Sequence, residues 1–344
     1  MIKSAELRRR LSKVRGEMRR ERLTALYVNK DFDAFYLSGK DTGRILITKD
    51  SAILWVKDVY YELYESTYSM RGYPLEVRVH DESDLKRTLR CLRSKSIGVS
   101  SAEYVAPIRK ASRKKVVVSA SAKSARSVKT KEEIDRIRRS ARIAKLGMRK
   151  AREVVDVGVR ELDAVAEIEA ELRRRGSERP PFDCGMLLAS GKRSADIHAR
   201  PSNKRISRGP VVVDLGAVYR GYHSDMTRTL SAGSLNSDER RVSDLIRRLR
   251  DETIDLIRPG IQASSVHKYV DESIKAAGYN FHHLSGHGVG LEIHEGPNFR
   301  PGANVRLKPG MVFTVEPGIY LPRRFGVRFE DTVLLTRRGC KKLT

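Results

Sequence analysis

In VVVDLGAVYRGYHSDMTRTL, Asp214 and Asp225 lie at nearly equal distance from the turn around Arg220 and Gly221, between two runs with strand-like composition. A hairpin there makes the two carboxylates cross-strand neighbours on one face, with side chains roughly 5 Å apart. Two ionised carboxylates at that separation repel, so a proton, an arginine or a metal ion must accompany them. The construction recurs in MVFTVEPGIYLPRRFGVRFEDTVLL, where Glu316 and Glu330 are equidistant from the centre of the turn Pro322-Arg323-Arg324. Period-two alternation places Thr314 on the face of Glu316, and Arg328 and Thr332 on the face of Glu330. Four carboxylates meeting in one sheet are a charge that two divalent cations can neutralise.

A fifth candidate is His287 in SGHGVGLEIHEGP, where flanking glycines permit close backbone approach and leave the imidazole free to point inward. Four carboxylates and one imidazole form an oxygen-rich donor set, suited to Mn, Co, Fe or Zn rather than to copper(I) or a thiolate zinc site. A lone acidic pair across a hairpin is ordinarily a solvated edge. Two such pairs in apolar strand contexts, joined by the histidine segment, fit that reading poorly, because acids on a buried sheet need partners.

The elements that would position these residues follow from periodicity. Leu7, Leu11, Val14 and Met18 mark an amphipathic helix with Ser4 as N-cap and a solvated basic face. LTALYV, FDAFYL, RILIT and SAILWV read as strands, Asp84 to Leu92 as a helix, and SIGVS and KVVVSA as two more strands. Residues 1–122 are therefore expected to form a small α/β domain, and 123–129 an exposed, polar, basic linker. From Thr130, which forms a capping-box pattern with Glu133, a second domain over 130–344 runs as two helices followed by strands, twice over. That order predicts an α+β unit with an antiparallel sheet covered by helices.

Composition narrows the classes. The chain has 344 residues, 40% hydrophobic and 33% charged, with no apolar run long enough to cross a membrane and a basic N-terminus unlike a secretory signal, so a cytoplasmic protein is expected. Cys91, Cys184 and Cys340 are too far apart for a disulfide framework or a thiolate metal site. Lys and Arg outnumber Asp and Glu by 69 to 43, a net charge of +26 that permits contact with polyanions.

With these residues in hand, the chain resembles the pita-bread metallopeptidases, in particular the proline-specific branch of prolidase and Xaa-Pro aminopeptidase. The resemblance is carried by SVKTKEEIDRIRRSARIA, the segment from ASG to HARPS, DLGAVYRGYHSDMTRT, GHGVGLEIHEGP, MVFTVEPGIY and GVRFEDTVLLT. It implies a C-terminal pita-bread fold with internal pseudo-two-fold symmetry, preceded by a creatinase-like N-terminal domain. It further implies two divalent ions, with Asp214 chelating one, Asp225 and Glu330 bridging both, and His287 and Glu316 on the other. His198 and His294 match the family's two active-site histidines that are not ligands, and Arg328 a family arginine that orders the metal-binding strand or contacts substrate. The implied reaction is attack by a metal-bridged hydroxide on the bond before proline in short peptides, with Glu316 passing the proton, in a homodimer. In the N-terminal domain KDVYYELYES departs from the family's pattern. Two alternatives accompany this reading: methionine aminopeptidase-like specificity, against which the N-terminal domain argues, and a non-catalytic nucleic-acid-binding member of the same fold.

Overall fold

Leu7, Leu11, Val14 and Met18 are buried along one face of helix α1 (Ser4–Arg20), as their spacing requires. Ser4 is the first helical residue rather than the cap; Lys3 holds the extended N-cap conformation, and no side chain caps the helix. The basic face is not all solvated either, since Arg10 is fully buried with Nε on Glu6 (2.9 Å) and Nη1 on the Tyr36 carbonyl (3.0 Å). The computed structural model describes residues 2–29, 32–40, 43–68, 72–182 and 185–344. The chain divides into two units, Met1–Arg126 and Ser127–Thr344.

In the first unit α1 is followed by β1 (Ala25–Asn29), α2 (Phe32–Ser38), β2 (Arg44–Thr48), β3 (Ala52–Val56), α3 (Asp58–Tyr68), β4 (Glu76–Val79), α4 (Glu82–Cys91), β5 (Ser96–Val99), α5 (Val105–Ser112), β6 (Lys115–Val118) and α6 (Ser121–Ser127). The strands form one mixed sheet in the order β4-β3-β2-β1-β5-β6. Two expectations fail here. FDAFYL is helix α2, because Asp33, Ala34 and Leu37 are buried together and Asp33 takes the buried Arg126 guanidinium at 2.7 Å. That partner is distant in sequence, so a local window cannot contain it. Arg126 in turn lies on α6, where an exposed linker was expected; its small residues allow close packing, and Ala122 and Ala125 are buried. Of the three cysteines, Cys91 and Cys340 are free thiols, whereas Cys184 lies outside the described residues.

In the second unit the order helix, helix, strands occurs twice. The first pass is α7 (Lys131–Val154), α8 (Glu161–Arg174), β7 (Leu187–Ser190), β8 (Gly209–Tyr219) and β9 (Tyr222–Ala232). The second is α9 (Ser237–Leu256), α10 (Ala263–Ala276), β10 (His287–Gly288), β11 (Glu295–Asn298), β12 (Val312–Val315), β13 (Gly318–Leu321), β14 (Phe325–Arg328), β15 (Asp331–Thr336) and β16 (Gly339–Lys342). Each pass opens on a capping box: Thr130 and Glu133 exchange hydrogen bonds at the start of α7, Asn236 and Glu239 at the start of α9. The strands form antiparallel sheets β7-β8-β9 and β11-β10-β12-β15-β16 and the hairpin β13-β14. Apolar side chains of α7 and α8 pack on β7 to β9, and those of α9 and α10 on the strands of the second pass. No helix among the described residues is long and apolar enough to cross a membrane.

The capping box on α7 gives a direct test of how this helix is anchored. Thr130→Ala leaves the Glu133 amide without its acceptor (3.3 Å) and should cost about 1 kcal/mol, lowering the melting temperature of the second unit by roughly 2–4 °C. Thr130→Ser should restore it, as read by calorimetry.

Candidate metal centre

The ladder between β8 and β9 sets Asp214 opposite Thr227 and Asp225 opposite Gly216. The two aspartates therefore share a face but are diagonal neighbours, not directly opposed as expected. The reason is the turn: its two central residues, Arg220 and Gly221, both have positive φ, so the ladder is centred one residue beyond the midpoint of the aspartates. In the second hairpin the symmetry is exact in register. The pairings Val315 with Asp331 and Gly318 with Arg328 belong to one continuous alignment, and Glu316 and Glu330 stand across from each other in the gap between them. Pro317, with no N–H to give, falls in that gap. The Glu330 amide instead donates to the Thr227 carbonyl (3.0 Å), which ties it beside Asp225, and the Glu316 amide donates to the Ser285 carbonyl (3.0 Å).

His287 enters from β10. A Cβ on Gly286 would sit 2.1 Å from the Thr314 carbonyl oxygen, and one on Gly288 would sit 2.2 Å from that of Gly296, so only glycine fits at both flanks. The Gly288 carbonyl, 3.1 Å from His287 Nδ1, can only accept, which fixes the proton on Nδ1 and turns the Nε2 lone pair toward the acids. Burial pushes the His287 imidazole down to about 4, so the ring is neutral at pH 7.

Around that nitrogen the acids converge. His287 Nε2 is 3.6 Å from Asp225 Oδ2 and 3.4 Å from Glu316 Oε1. Asp225, His287 and Glu330 each offer a ligand atom, all within 4.8 Å of one another. Asp214 is held by Arg328, whose Nη2 donates to Oδ2 at 2.7 Å. Three carboxylate oxygens, Asp214 Oδ1, Asp225 Oδ1 and Glu330 Oε1, are buried without a hydrogen-bond partner among the described residues. Burial, and next the charges of Asp214 and Glu316, raises the Asp225 carboxyl well above its ordinary range. Burial, and next Asp225, does the same to Glu330, and burial lifts Glu316 to about 7. One guanidinium does not neutralise this group. Orphaned oxygens beside a neutral imidazole are the donor set that a divalent cation of intermediate softness takes.

All eight residues singled out in the sequence, Asp214, Asp225, His287, Glu316, Glu330, His198, His294 and Arg328, line one cavity of about 930 Å³. His198 is exposed at its rim, its amide on Asp196 Oδ1 (3.1 Å), and the His294 ring meets His287 edge-on at 4.3 Å between centroids. The sequence reading missed Tyr320 and His283. Tyr320 accepts from Arg328 Nη1 (2.8 Å) and donates to His283 Nε2 (3.1 Å); the His283 Nδ1 proton goes to the Leu284 carbonyl (2.7 Å). Burial holds His283 neutral, at about 3, and pushes the Tyr320 phenol up to about 12. Alternation carried a signal for Tyr320, since it shares the parity of Glu316 and Gly318.

The chain matches metallopeptidase family M24 over residues 135–337 and the creatinase/prolidase N-terminal domain over residues 10–139. It is 36% identical over 347 residues to an Xaa-Pro dipeptidase of Pyrococcus furiosus, covering 98% of each chain. The crystal structure of a prolidase from Pyrococcus horikoshii superposes with a TM-score of 0.86 at 33% identity, covering 97% of each chain. An X-Pro aminopeptidase from Thermotoga maritima superposes with a TM-score of 0.82 at 30% identity, over 95% of this chain and 97% of that one.

The raised carboxyls set a pH dependence with a definite sign. A folded form that holds protons which the unfolded chain releases loses stability as pH rises, here from the ordinary glutamate value of 4.5 toward about 7. Chelator-treated protein should therefore melt lower at pH 7.5 than at pH 5.5. Mn at a concentration about a hundredfold above its Kd at pH 5.5 should restore about 2.7 kcal/mol there, and the same concentration should restore more at pH 7.5. Asp225→Asn should abolish the metal-dependent gain in calorimetry; equal melting with and without metal at pH 7.5 would dismiss the centre.

Proposed function

Because the chain belongs to metallopeptidase family M24 and carries a creatinase/prolidase-type N-terminal domain, we propose that it hydrolyses the Xaa-Pro bond of dipeptides and short peptides. Two divalent ions, from among Mn, Co, Fe and Zn, would be held by Asp214, Asp225, His287, Glu316 and Glu330. The observation that carries this reading is the cluster of buried carboxylates around His287, three of whose oxygens have no hydrogen-bond partner among the described residues. The names of the relatives in the two Pyrococcus species favour the dipeptidase form.

When bound, the ions supply the positive charge that acidifies water and polarises a carbonyl. Glu316 is the proton carrier in this reading: it lines the cavity together with the acids that would hold the ions, and general acid-base work calls for a carboxylate beside the reacting atoms. Arg328 keeps Asp214 oriented through Nη2, and so leaves one oxygen of that carboxylate available. His198 and His294 line the same cavity and would donate to the oxygen that gains charge as the peptide carbonyl is attacked. Ile197, Phe281, Leu284 and Pro301 form an apolar part of the wall suited to a pyrrolidine ring. The homodimer belongs to the same reading.

A substrate panel separates the alternatives. Protein loaded with Mn or Co should cleave Xaa-Pro dipeptides; faster cleavage of Xaa-Pro-Yaa peptides would make it an aminopeptidase, and cleavage of Met-Ala peptides alone would overturn the proline specificity. Glu316→Gln should lower kcat by roughly 10²–10⁴. Salt-sensitive nucleic-acid binding with no hydrolysis of any peptide would favour the binding-module alternative instead.

A further inference from the structure

A second cavity, of about 560 Å³, lies in the same unit and shares no lining residue with the acidic one. Its lining includes Arg228 of β9 and Asp331 of β15. By alternation these point away from the face that carries Asp225 and Thr227 on β9 and Glu330 just before β15. The cavity is thus on the reverse of the strands that bear the acids.

Its charge is opposite as well. Arg152, Arg228, Arg247, Arg250 and Lys342 line it, and Asp331 is the one acidic side chain among the lining residues. Arg228 and Arg250 form the floor. Arg228 Nη2 is 2.6 Å from Asp331 Oδ1, and Arg250 Nε is 3.3 Å from Asp331 Oδ2. Arg250 also takes Asp251 through two bonds of 3.0 Å, and Lys342 reaches the same Asp251. At the mouth the pairing thins. Arg247 meets Asp244 at 3.8 Å with both side chains 54% exposed, a separation worth little in water. Arg152 makes no ion pair with a described residue. Counting Asp251 and Asp244 along with Asp331, five cationic side chains face three side-chain carboxylates.

Arginine is suited to tetrahedral oxyanions because its planar fork offers paired N–H donors in fixed geometry. Phe329 keeps two of these forks in place, with Arg247 and Arg250 at 5.1 and 5.7 Å from its ring centre. An anion suits this excess of basic side chains, and a volume of this size is that of a small-molecule site rather than of a lone ion. We propose that the cavity binds a small phosphoryl anion, either a phosphate monoester or free phosphate. The site stands independently of the peptidase reading.

Isothermal titration of the metal-loaded full chain at constant ionic strength, with inorganic phosphate and with adenosine 5′-monophosphate as probes, tests this. Both should bind saturably at one site per chain, with chloride failing to compete. Tighter binding of the monoester identifies an ester as the ligand class, and equal or weaker binding identifies free phosphate. The double variant Arg247→Ala/Lys342→Ala removes two half-exposed side chains and should weaken binding by about tenfold or more. Asp225→Asn, in the acidic cavity, should leave it unchanged, which excludes capture by the bound metal. Absence of saturable binding, affinity untouched by the double variant, or short duplex DNA binding through Arg247 and Lys342 without competition from phosphate would overturn the proposal.

Discussion

The repulsion among buried carboxylates is the constraint to which the rest of the second unit answers. Asp214, Asp225, Glu316 and Glu330 are brought together where water solvates them poorly, and they raise the cost of ionising one another. Such a cluster is tolerable only in a frame that supplies compensating charge and prevents the acids from moving apart. Arg328 supplies part of the charge. The deficit that remains is the physical reason to place cations in this cavity, and it holds whatever the peptide cleaved.

The frame consists largely of threonine hydroxyls. Thr227 Oγ1 donates to Glu330 Oε2 (2.7 Å) and accepts from Arg328 Nε (3.0 Å). Thr332 Oγ1 accepts from the Asp225 amide and donates to its carbonyl (3.1 and 2.7 Å), and Thr229 does the same for Arg328 (3.0 Å each). Thr314 accepts from the His287 amide (3.0 Å) and donates to Glu316 (3.1 Å). Each hydroxyl both donates and accepts, so it bridges strands without leaving a buried polar atom unpaired. The threonines thereby stand in for ladder bonds where β9 runs beside β14 and β15. Acids carried on strands braced in this way are set more closely than loop residues could be.

How much of this the sequence disclosed depended on distance along the chain. Hairpin symmetry and alternation are local, so the two acidic pairs, the faces of Thr314, Thr332 and Arg328, and the capping box at Thr130 could be read directly. The diagonal offset of Asp214 and Asp225 was not legible, because it depends on which two residues of YRGY take positive φ. FDAFYL and the segment after Ala120 were misjudged for a related reason: Asp33 and Arg126 define each other's environment from 93 residues apart. The sharing of Tyr320 between Arg328 and His283 likewise joins the β13-β14 hairpin to a distant segment, and no spacing rule links His283 to it.

Arg328 shows why the residue type, and not just its charge, matters at this point of the fold. It is 3% exposed, so its charge is retained only through partners. Four of its five N–H donors are accounted for: Nε to Thr227, Nη1 to the Ile197 carbonyl (3.3 Å) and Tyr320, and Nη2 to Asp214. These partners come from β9, the segment before His198, β13 and β8, and the planar fork reaches all of them at once. A lysine ammonium, with three donors at one point, could satisfy Asp214 but would leave Thr227 or Tyr320 without its partner. The guanidinium therefore does two things that a bare charge cannot. It offsets one carboxylate, and it fixes how β8, β9 and β13 lie around the cavity.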